Sequence, residues 1–399
     1  MPAFSRSMGH LANRLLLLGV ALAASLQSSA AAGEILRIAA NGTGDYFSIA
    51  DAYAAAAEGD TLLIIGAPLD TRVQVDGKAV DVVMTSALSH SLLQVSVRNL
   101  GAGKTVYIRG IHYGGLLAVE DCAGSVIIAD SSFGFGWLLR NDSVAMVRTT
   151  IEGNGASSAG APNDLATFHV NDTSVLVSQS ELNGQVGEYG QCGSGICTTC
   201  CYDGGPGYNT LRVTGSSYMR VQASTIYGGP GGPVVGGLGF CPCSSGADGL
   251  SYSVDSGATL QLLETTTYSG TGSNGHATQL SGTARRVDTP VSADGGSSFQ
   301  LLISGDPGDT AYLLAGGDLI FRPTYWSAGI IQVNGALGRR RLGSIPPGGV
   351  LSVPLTAPPV ASGQVEPLLT QVVLLLANGE IRLAPAGIVQ VRGAGVAAW

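Results

Sequence analysis

Asp130 and Arg148 occupy the same place in two related segments, SVIIAD and SVAMVR, and His112 falls close to that place in a third, TVYIRGIH. If these segments lie side by side, a carboxylate, a guanidinium and an imidazole converge. Such a group could clamp an acidic sugar and take a proton from it, because acid–base chemistry asks that donor and acceptor sit within hydrogen-bond reach of the reacting atom. The competing reading is an exposed ion pair on a solvated strand face, worth well under about 1 kcal/mol. A second set, Tyr189, Tyr202, Tyr208 and Tyr227, lies in or beside Gly-rich stretches, where aromatic faces could stack on sugar rings or pack the loops. A third set is made of thiols: Cys192, Cys197, Cys200 and Cys201 in one such stretch, Cys241 and Cys243 in the next. Their even number suits disulfides in an exported chain. Zinc, suggested by the CxxC spacing of Cys197 and Cys200, suits a reducing compartment better, so no metal site is expected. Spacing alone does not choose among the pairings, and Cys122 stands apart as a buried or turn thiol.

The compartment is written at the N-terminus. Arg6 and Arg14 flank the start of an apolar run from Leu15 to Leu26, and SSAAAG follows to Gly33. This is the three-part layout of a secretory signal peptide, with cleavage expected near Ala32. The run is shorter than the roughly 20 residues a spanning helix needs, and no later segment is long enough. The mature chain is therefore expected to be secreted, at the cell surface or in the periplasm, without a membrane span. Its formal charge is −8 with the leader, and about −10 once the two arginines are removed. An acidic chain whose only lysines are Lys78 and Lys104 is a poor nucleic-acid ligand, since phosphates need clustered cations. The one basic run, Arg339 to Arg341, reads as a solvated loop.

The elements that would position these groups come from a repeat. Five copies read LLAVEDCAGSVIIADSSFG from Leu116, WLLRNDSVAMVRTTIEG from Trp137, LATFHVNDTSVLVSQSELNG from Leu165, NTLRVTGSSYMRVQASTIYG from Asn209 and LSYSVDSGATLQLLETTTYSG from Leu250. Each has two short alternating runs joined by a polar turn, and KTVYIRGIHYGG from Lys104 is a partial copy. The second runs place apolar residues two apart, as in Val126 and Ile128 or Val175 and Val177, which is the period of a strand with one face inward. A strand repeat of this length cannot bury that face alone, so the copies must stack and pair edge to edge. The pattern predicts an all-β chain whose main body is a right-handed parallel β-helix. Aligned copies give a hydroxyl column of Ser131, Thr149, Ser180, Ser224 and Thr265 and an apolar column of Phe133, Ile151, Leu182 and Ile226. They also give an outward column of Gly110, Asp130, Arg148, Gln179, Ala223 and Glu264. Asp121, Asn141, Asp142, Asn171, Asp172 and Asp255 fall in the polar turns, where their side chains cap the backbone.

Upstream, ILRIAANGTGDYFSIADAYAAAAEGDTLLI from Ile35 to Ile64 runs strand, Gly-rich turn, short Ala-rich helix from Ile49 to Ala57, strand. This segment resembles the opening of pectinesterases and other members of the pectin-lyase-like β-helix superfamily, in which a helix plugs the first coil. The likeness covers about 30 residues and implies a capped β-helix rather than an activity. The QDT-like and GRPW-like strings of pectinesterases are missing, as are the NTD, GHG-like and RIK strings of polygalacturonases. The sequence therefore offers no recognisable catalytic set and no cofactor motif. A glycosidase would need two carboxyl groups at a set separation, and a lyase a base near the sugar C5 with a cation to steady the uronate.

Three excursions, near 154–163, 185–208 and 229–248, all follow the second run, so they should emerge on one flank. Past about Gly270 the repeat fades. From Ser297 new alternating runs, with the hairpin signal Asn378-Gly379, predict a small all-β, sandwich-like domain. The organisation expected is a signal peptide over 1–32, a parallel β-helix with Cys-rich insertions over 33–285, and the small domain over 297–399. The expected role is an exported, non-catalytic structural or polysaccharide-binding component, with a polysaccharide lyase or related enzyme as the rival. No oligomeric state follows from the sequence.

Overall fold

The protein is described by a computed structural model covering residues 33–84, 94–112, 114–153, 166–191, 203, 205–235, 244–268, 276–280, 285–290, 292–316, 318–323, 330–334, 340–362, 365–384 and 387–394. These residues are nearly all strand or connection, with one helix, Ile49–Ala55. From Thr61 onward the chain visits two parallel sheets in turn. The first, of ten strands, runs from Ile35–Ile38 through Thr105–Arg109, Ser125–Ala129, Ser143–Val147, Ser174–Ser178, Tyr218–Gln222 and Thr259–Leu263 to Ala277–Leu280. Val106, Val126, Val144, Val175, Met219 and Leu260 stand in register across it. These residues and their partners two positions on are at most 1% exposed, so period two in the sequence has become a single inward-facing wall.

The second sheet, of eleven strands, begins with Arg72–Asp76, Gln94–Arg98 and Gly114–Glu120 and reaches the long strand Ser132–Leu139. There it splits. The first half of Ser132–Leu139 continues into Thr150–Ile151, Glu181–Asn183, Thr225–Tyr227 and Thr266–Tyr268, and the second half into Phe168–Asn171, Leu211–Thr214 and Tyr252–Val254. The excursions leave between these two branches, on one flank as expected. Gly136 marks the fork, since a Cβ there would lie 2.5 Å from the Phe168 ring.

At the two corners the chain turns from one sheet to the other. Residues after the first-sheet strands, Gly110, Asp130, Arg148, Gln179, Ala223 and Glu264, all have positive φ, and so do Gly77, Asn99, Asp121, Arg140, Asp172 and Gly215 after the second-sheet strands. They include every non-glycine residue of positive φ among the described residues. The sequence alignment placed Gly110 to Glu264 on an outward strand face; they are instead left-handed corners that keep the ladder intact. Asp130 N–H donates to the Val147 carbonyl at 3.1 Å, Arg148 to Ser178 at 3.0 Å and Ala223 to Leu263 at 3.0 Å.

The hydroxyl column sits one residue past the first set of corners and is buried from Ser131 to Ser224, with Thr265 half-buried at its end. Ser180 donates to the Ser178 carbonyl at 2.8 Å and accepts the Thr149 N–H at 3.1 Å, and Ser224 does the same for the Gln222 carbonyl and the Ser180 N–H. The hydroxyls thus bond backbone across the corner rather than one another. Cys122, Asn141, Thr173 and Ser217 form the matching ladder at the other set of corners, and burial raises the Cys122 thiol above its ordinary range.

The helix closes the N-terminal end. Its Ile49 and Ala52 join the same apolar cluster as Leu36, Leu62 and the walls. Ser48 caps its start, the Asp70 carboxylate takes the Ile49 and Ala50 N–H groups, and Lys78 takes the Tyr53 and Ala56 carbonyls at its end. The helix therefore stops near Ala56, where its terminal groups are met.

Beyond Arg285 the pairing becomes mainly antiparallel. One sheet joins Arg286–Asp288, Ser298–Ser304 and Val350–Thr356; another joins Ser292–Asp294, Gly387–Arg392, Val365–Leu375, Thr310–Gly316 and Arg340–Ser344, with Ile381–Leu383 added. They share one apolar cluster that includes Leu301, Ile303, Val372 and Val389. These sheets take in two strands upstream of residue 297, and the expected hairpin is present, with Gly379 at φ 85°. Leu369 of this part packs on Tyr107, Ile127, Ala129 and Ala145, on the outer face of the first parallel sheet.

A left-handed conformation at a non-glycine residue costs about 1–2 kcal/mol, and adding a glycine to the unfolded chain takes back about 0.4–1. Ala223→Gly is therefore expected to stabilise the protein by roughly 0.5–1 kcal/mol, and Ala223→Val to destabilise it. Denaturation of the two variants checks this; equal stabilities would mean that the corner carries no strain.

Candidate functional site

Asp130 and Arg148 do meet. The Arg148 Nε lies 2.6 Å from Asp130 Oδ1 and its Nη2 3.1 Å from Oδ2, a two-pronged pair across one step of the stack. Arg109, whose side chain is 4% exposed, holds the same carboxylate through Nε at 3.0 Å. Both residues occupy corners, and on the same column Arg148 lies in the field of Asp288 while Gln179 donates to Asp288 at 3.2 Å. This corrects the solvated strand pair read from the sequence. Both oxygens of this carboxylate are thus occupied by guanidinium N–H groups. His112 is half-exposed and has no hydrogen-bond or ion-pair partner among the described residues, so it does not complete a set with them.

Of the tyrosines, Tyr189 is 64% exposed. Tyr208 is half-buried among the glycine-rich segments, its N–H on the Gln185 carbonyl and its own carbonyl taking the Gly229 N–H. Tyr202 and all six cysteines of the excursions lie outside the described residues. Tyr227 is half-exposed on the outer face of the second sheet and stacks on Tyr268, which stands in register one strand further on, with ring centroids 4.7 Å apart and planes 4° from parallel.

The segments beside this pair are packed as backbone. Gly184, Gly187 and Gly190 recur every third residue, as do Gly229 with Gly232 and Gly246 with Gly249. Three residues per turn is the period of an extended left-handed chain. The Gly187 N–H donates to Pro230, Gly205 to Glu188, Gly232 to Gly205 and Gly249 to Gly229, all within 2.7–2.9 Å. A Cβ on Gly207, Gly231 or Gly232 would fall 1.8 Å from a neighbouring carbonyl oxygen, so these positions admit glycine alone.

On the other branch a row that sequence reasoning missed runs Ser96, Ala118, Trp137, His169, Arg212, Ser253 in register. Ser96 and Ala118 are buried, and the row opens to solvent from Trp137 onward. The Thr214 hydroxyl donates to Asn171 Oδ1 at 2.8 Å, so His169 Nε2, 3.1 Å from that hydroxyl, is the donor to it and Nδ1 is left as an acceptor. Burial, helped by Arg212, holds the imidazole below its ordinary pKa, with Asp255 opposing. An indole face, a ring acceptor and a guanidinium in line are the groups that bind a sugar ring and its hydroxyls. The signal was available: these residues hold matching places in the first runs of successive repeats.

Asp81 is half-buried by area, yet its carboxyl is enclosed. Burial pushes it up to about 7, against the pull of the Tyr107 N–H that Oδ1 accepts at 2.8 Å. The Tyr107 hydroxyl beside it is buried without a hydrogen-bond partner. No group of His, Cys, Asp and Glu that could hold a metal ion occurs among the described residues, and no helix among them is long and apolar enough to cross a membrane.

No family model matches the chain, and no curated protein sequence matches it either. Among solved structures it is similar to the superoxide reductase (neelaredoxin) of Ignicoccus hospitalis, 11% identical over 27% of this chain and 80% of that one, with a TM-score of 0.17. It is also similar to the sulfur carrier protein SoxY of Chlorobium limicola f thiosulfatophilum, 18% identical over 28% of this chain and 80% of that one, with a TM-score of 0.15. Likenesses this slight carry no argument about function.

Two outcomes follow from the charges. Asp130→Ala removes the carboxylate shared by the buried Arg109 and the half-exposed Arg148, so it should cost about 2 kcal/mol of stability after discounting for solvent; a loss below about 0.5 kcal/mol would refute the clamp. Asp81 is raised above its unfolded value, so its contribution is complete below the ordinary carboxylate range and is lost as pH rises through about 7. The melting temperature of Asp81→Asn relative to the parent should therefore climb between pH 5 and pH 8, and a flat difference would show that the carboxyl is not enclosed.

Proposed function

We propose that the chain is an exported right-handed parallel β-helix protein of the pectin-lyase-like kind, and that it binds polysaccharide at or outside the cell surface without transforming it. The single observation that carries binding is the stacked, half-exposed pair Tyr227 and Tyr268 at the root of the glycine-rich segments. Exposed aromatic rings are costly to leave in water and are matched to the apolar faces of sugar rings, with hydroxyls at the rim. The row from Trp137 to Arg212 on the other branch supports the same reading, as does the exposed Tyr189 in the excursion. The right-handed coil is supported by the alternation between two parallel sheets, because crossovers between parallel strands are right-handed in about 98% of cases. Export is supported by the leader pattern of residues 6–33. A non-catalytic role is supported by the double occupation of Asp130 by Arg109 and Arg148.

Migration through native gels with embedded polysaccharides tests this on the mature chain. Retardation by at least one polymer is expected, and Tyr227→Ala with Tyr268→Ala should weaken it about tenfold or more, at roughly 1 kcal/mol per ring. Asp130→Asn should bind as the parent does. Equal migration in every polymer would remove the binding role, and ultraviolet-absorbing unsaturated products from a uronate polymer would replace it with a lyase.

A further inference from the structure

Arg220 stands on the outer face of the first parallel sheet, in register with Leu176 on one side and Gln261 on the other. Only 4% of it is exposed. Its Nε is buried without a hydrogen-bond partner, and it has no ion pair among the described residues. Most buried guanidiniums here are matched: Arg109 meets Asp130, and Arg285 meets Asp306 and Asp309. Arg220 is the exception, and a buried unpaired charge costs several kcal/mol.

A second buried group nearby lacks a partner too, and an acid close to it in the fold, Asp288, is engaged by Gln179. Ser178, on the same face and in register with Gln222 two residues past Arg220, is fully buried with its hydroxyl unpartnered. Arg382, from the C-terminal strand Ile381–Leu383, adds positive field at Arg220 and lies 3.8 Å from the Glu380 carboxylate. The Tyr218 hydroxyl is already given to Gln261 at 2.8 Å. Two orphaned buried polar groups in the positive field of a second guanidinium, with no ion pair to Arg220 among the described residues, describe a site whose missing component is negative.

We infer that the seam between the first parallel sheet and the strand Ile381–Leu383 binds a small oxyanion, held by the Arg220 guanidinium and the Ser178 hydroxyl and balanced by Arg382. The anion is a free phosphate or sulfate, or the same group as an ester on a larger molecule. Its place in the seam ties its binding to the attachment of the C-terminal strands.

The full mature chain, titrated with inorganic phosphate at constant ionic strength made up with chloride, tests this. Phosphate should raise the melting temperature with one site per chain by calorimetry, Arg220→Met should lower its affinity at least tenfold, and Ser178→Ala severalfold. In chloride alone Arg220→Met should melt no lower than the parent, because it removes an uncompensated charge. Sulfate and a phosphorylated sugar in parallel titrations separate the free ion from the ester. Absence of a phosphate-dependent shift in the parent overturns the inference, as do equal shifts in parent and Ser178→Ala. An Arg220→Met chain that fails to fold in chloride also overturns it, since the guanidinium would then be satisfied within the protein.

Discussion

Each step of the stack must pass from one sheet to the other within a single residue and still hand its N–H to the next step. That constraint governs the molecule. The left-handed conformation meets it, because positive φ redirects the chain without taking the amide out of line, as the bonds from Asp130 to Val147 and from Arg148 to Ser178 show. Asp, Arg, Gln, Ala and Glu all accept it at the first set of corners, at about 1–2 kcal/mol each. What offsets this is the residue after the corner, whose buried hydroxyl or amide ties two neighbouring steps, and the corner side chains themselves, which pair along the column as Arg148 with Asp130 and Arg140 with Asp121. The functional-looking charges are thus part of the corner.

The same constraint makes position in the repeat equivalent to position in space. Inward places fuse into one apolar core and outward places into rows. A row shows its chemistry only where nothing covers it. On the first sheet the rows of Tyr107, Ile127 and Ala145 are covered by Leu369, which turns an outer face into a second small core. On the second sheet the branches remain half-exposed from Trp137 and from Tyr227 onward. The described glycines between them solve the opposite problem: they let neighbouring backbones hydrogen-bond at a separation that excludes any Cβ.

Much of this was legible in the sequence. The pairs Val126 and Ile128, Val144 and Met146, or Val175 and Val177 fixed both register and inward face, and Asn378-Gly379 marked a hairpin, because both signals are local. The corners were not legible. Left-handed residues are expected to be glycine, and only Gly110 is glycine in its column, so Asp130, Arg148 and Glu264 read as one more outward strand position. The row through Trp137, His169 and Arg212 was present in the aligned repeats but hidden by excursions of unequal length before each first run. The covering of the first sheet by the C-terminal strands depends on contacts such as that of Leu369 with Ala145, distant in the chain and marked by no pattern.

Covering also explains why unpaired charge collects at the seam. On a free strand face Arg220 would keep its guanidinium in water at little cost. Once strands from the C-terminal part lie over it, that hydration is lost, and the stability of their attachment depends on what replaces it. Arg109 shows one solution, a carboxylate from the adjacent corner. Arg220 does not stand at the matching place: it lies on the row that runs from Tyr107 through Ala145 and Leu176, three residues before its own corner, whereas Arg109 directly precedes its corner. The solution found at Arg109 is therefore not repeated at Arg220, whose Nε is buried without a partner, and a mobile anion is the component that would supply one.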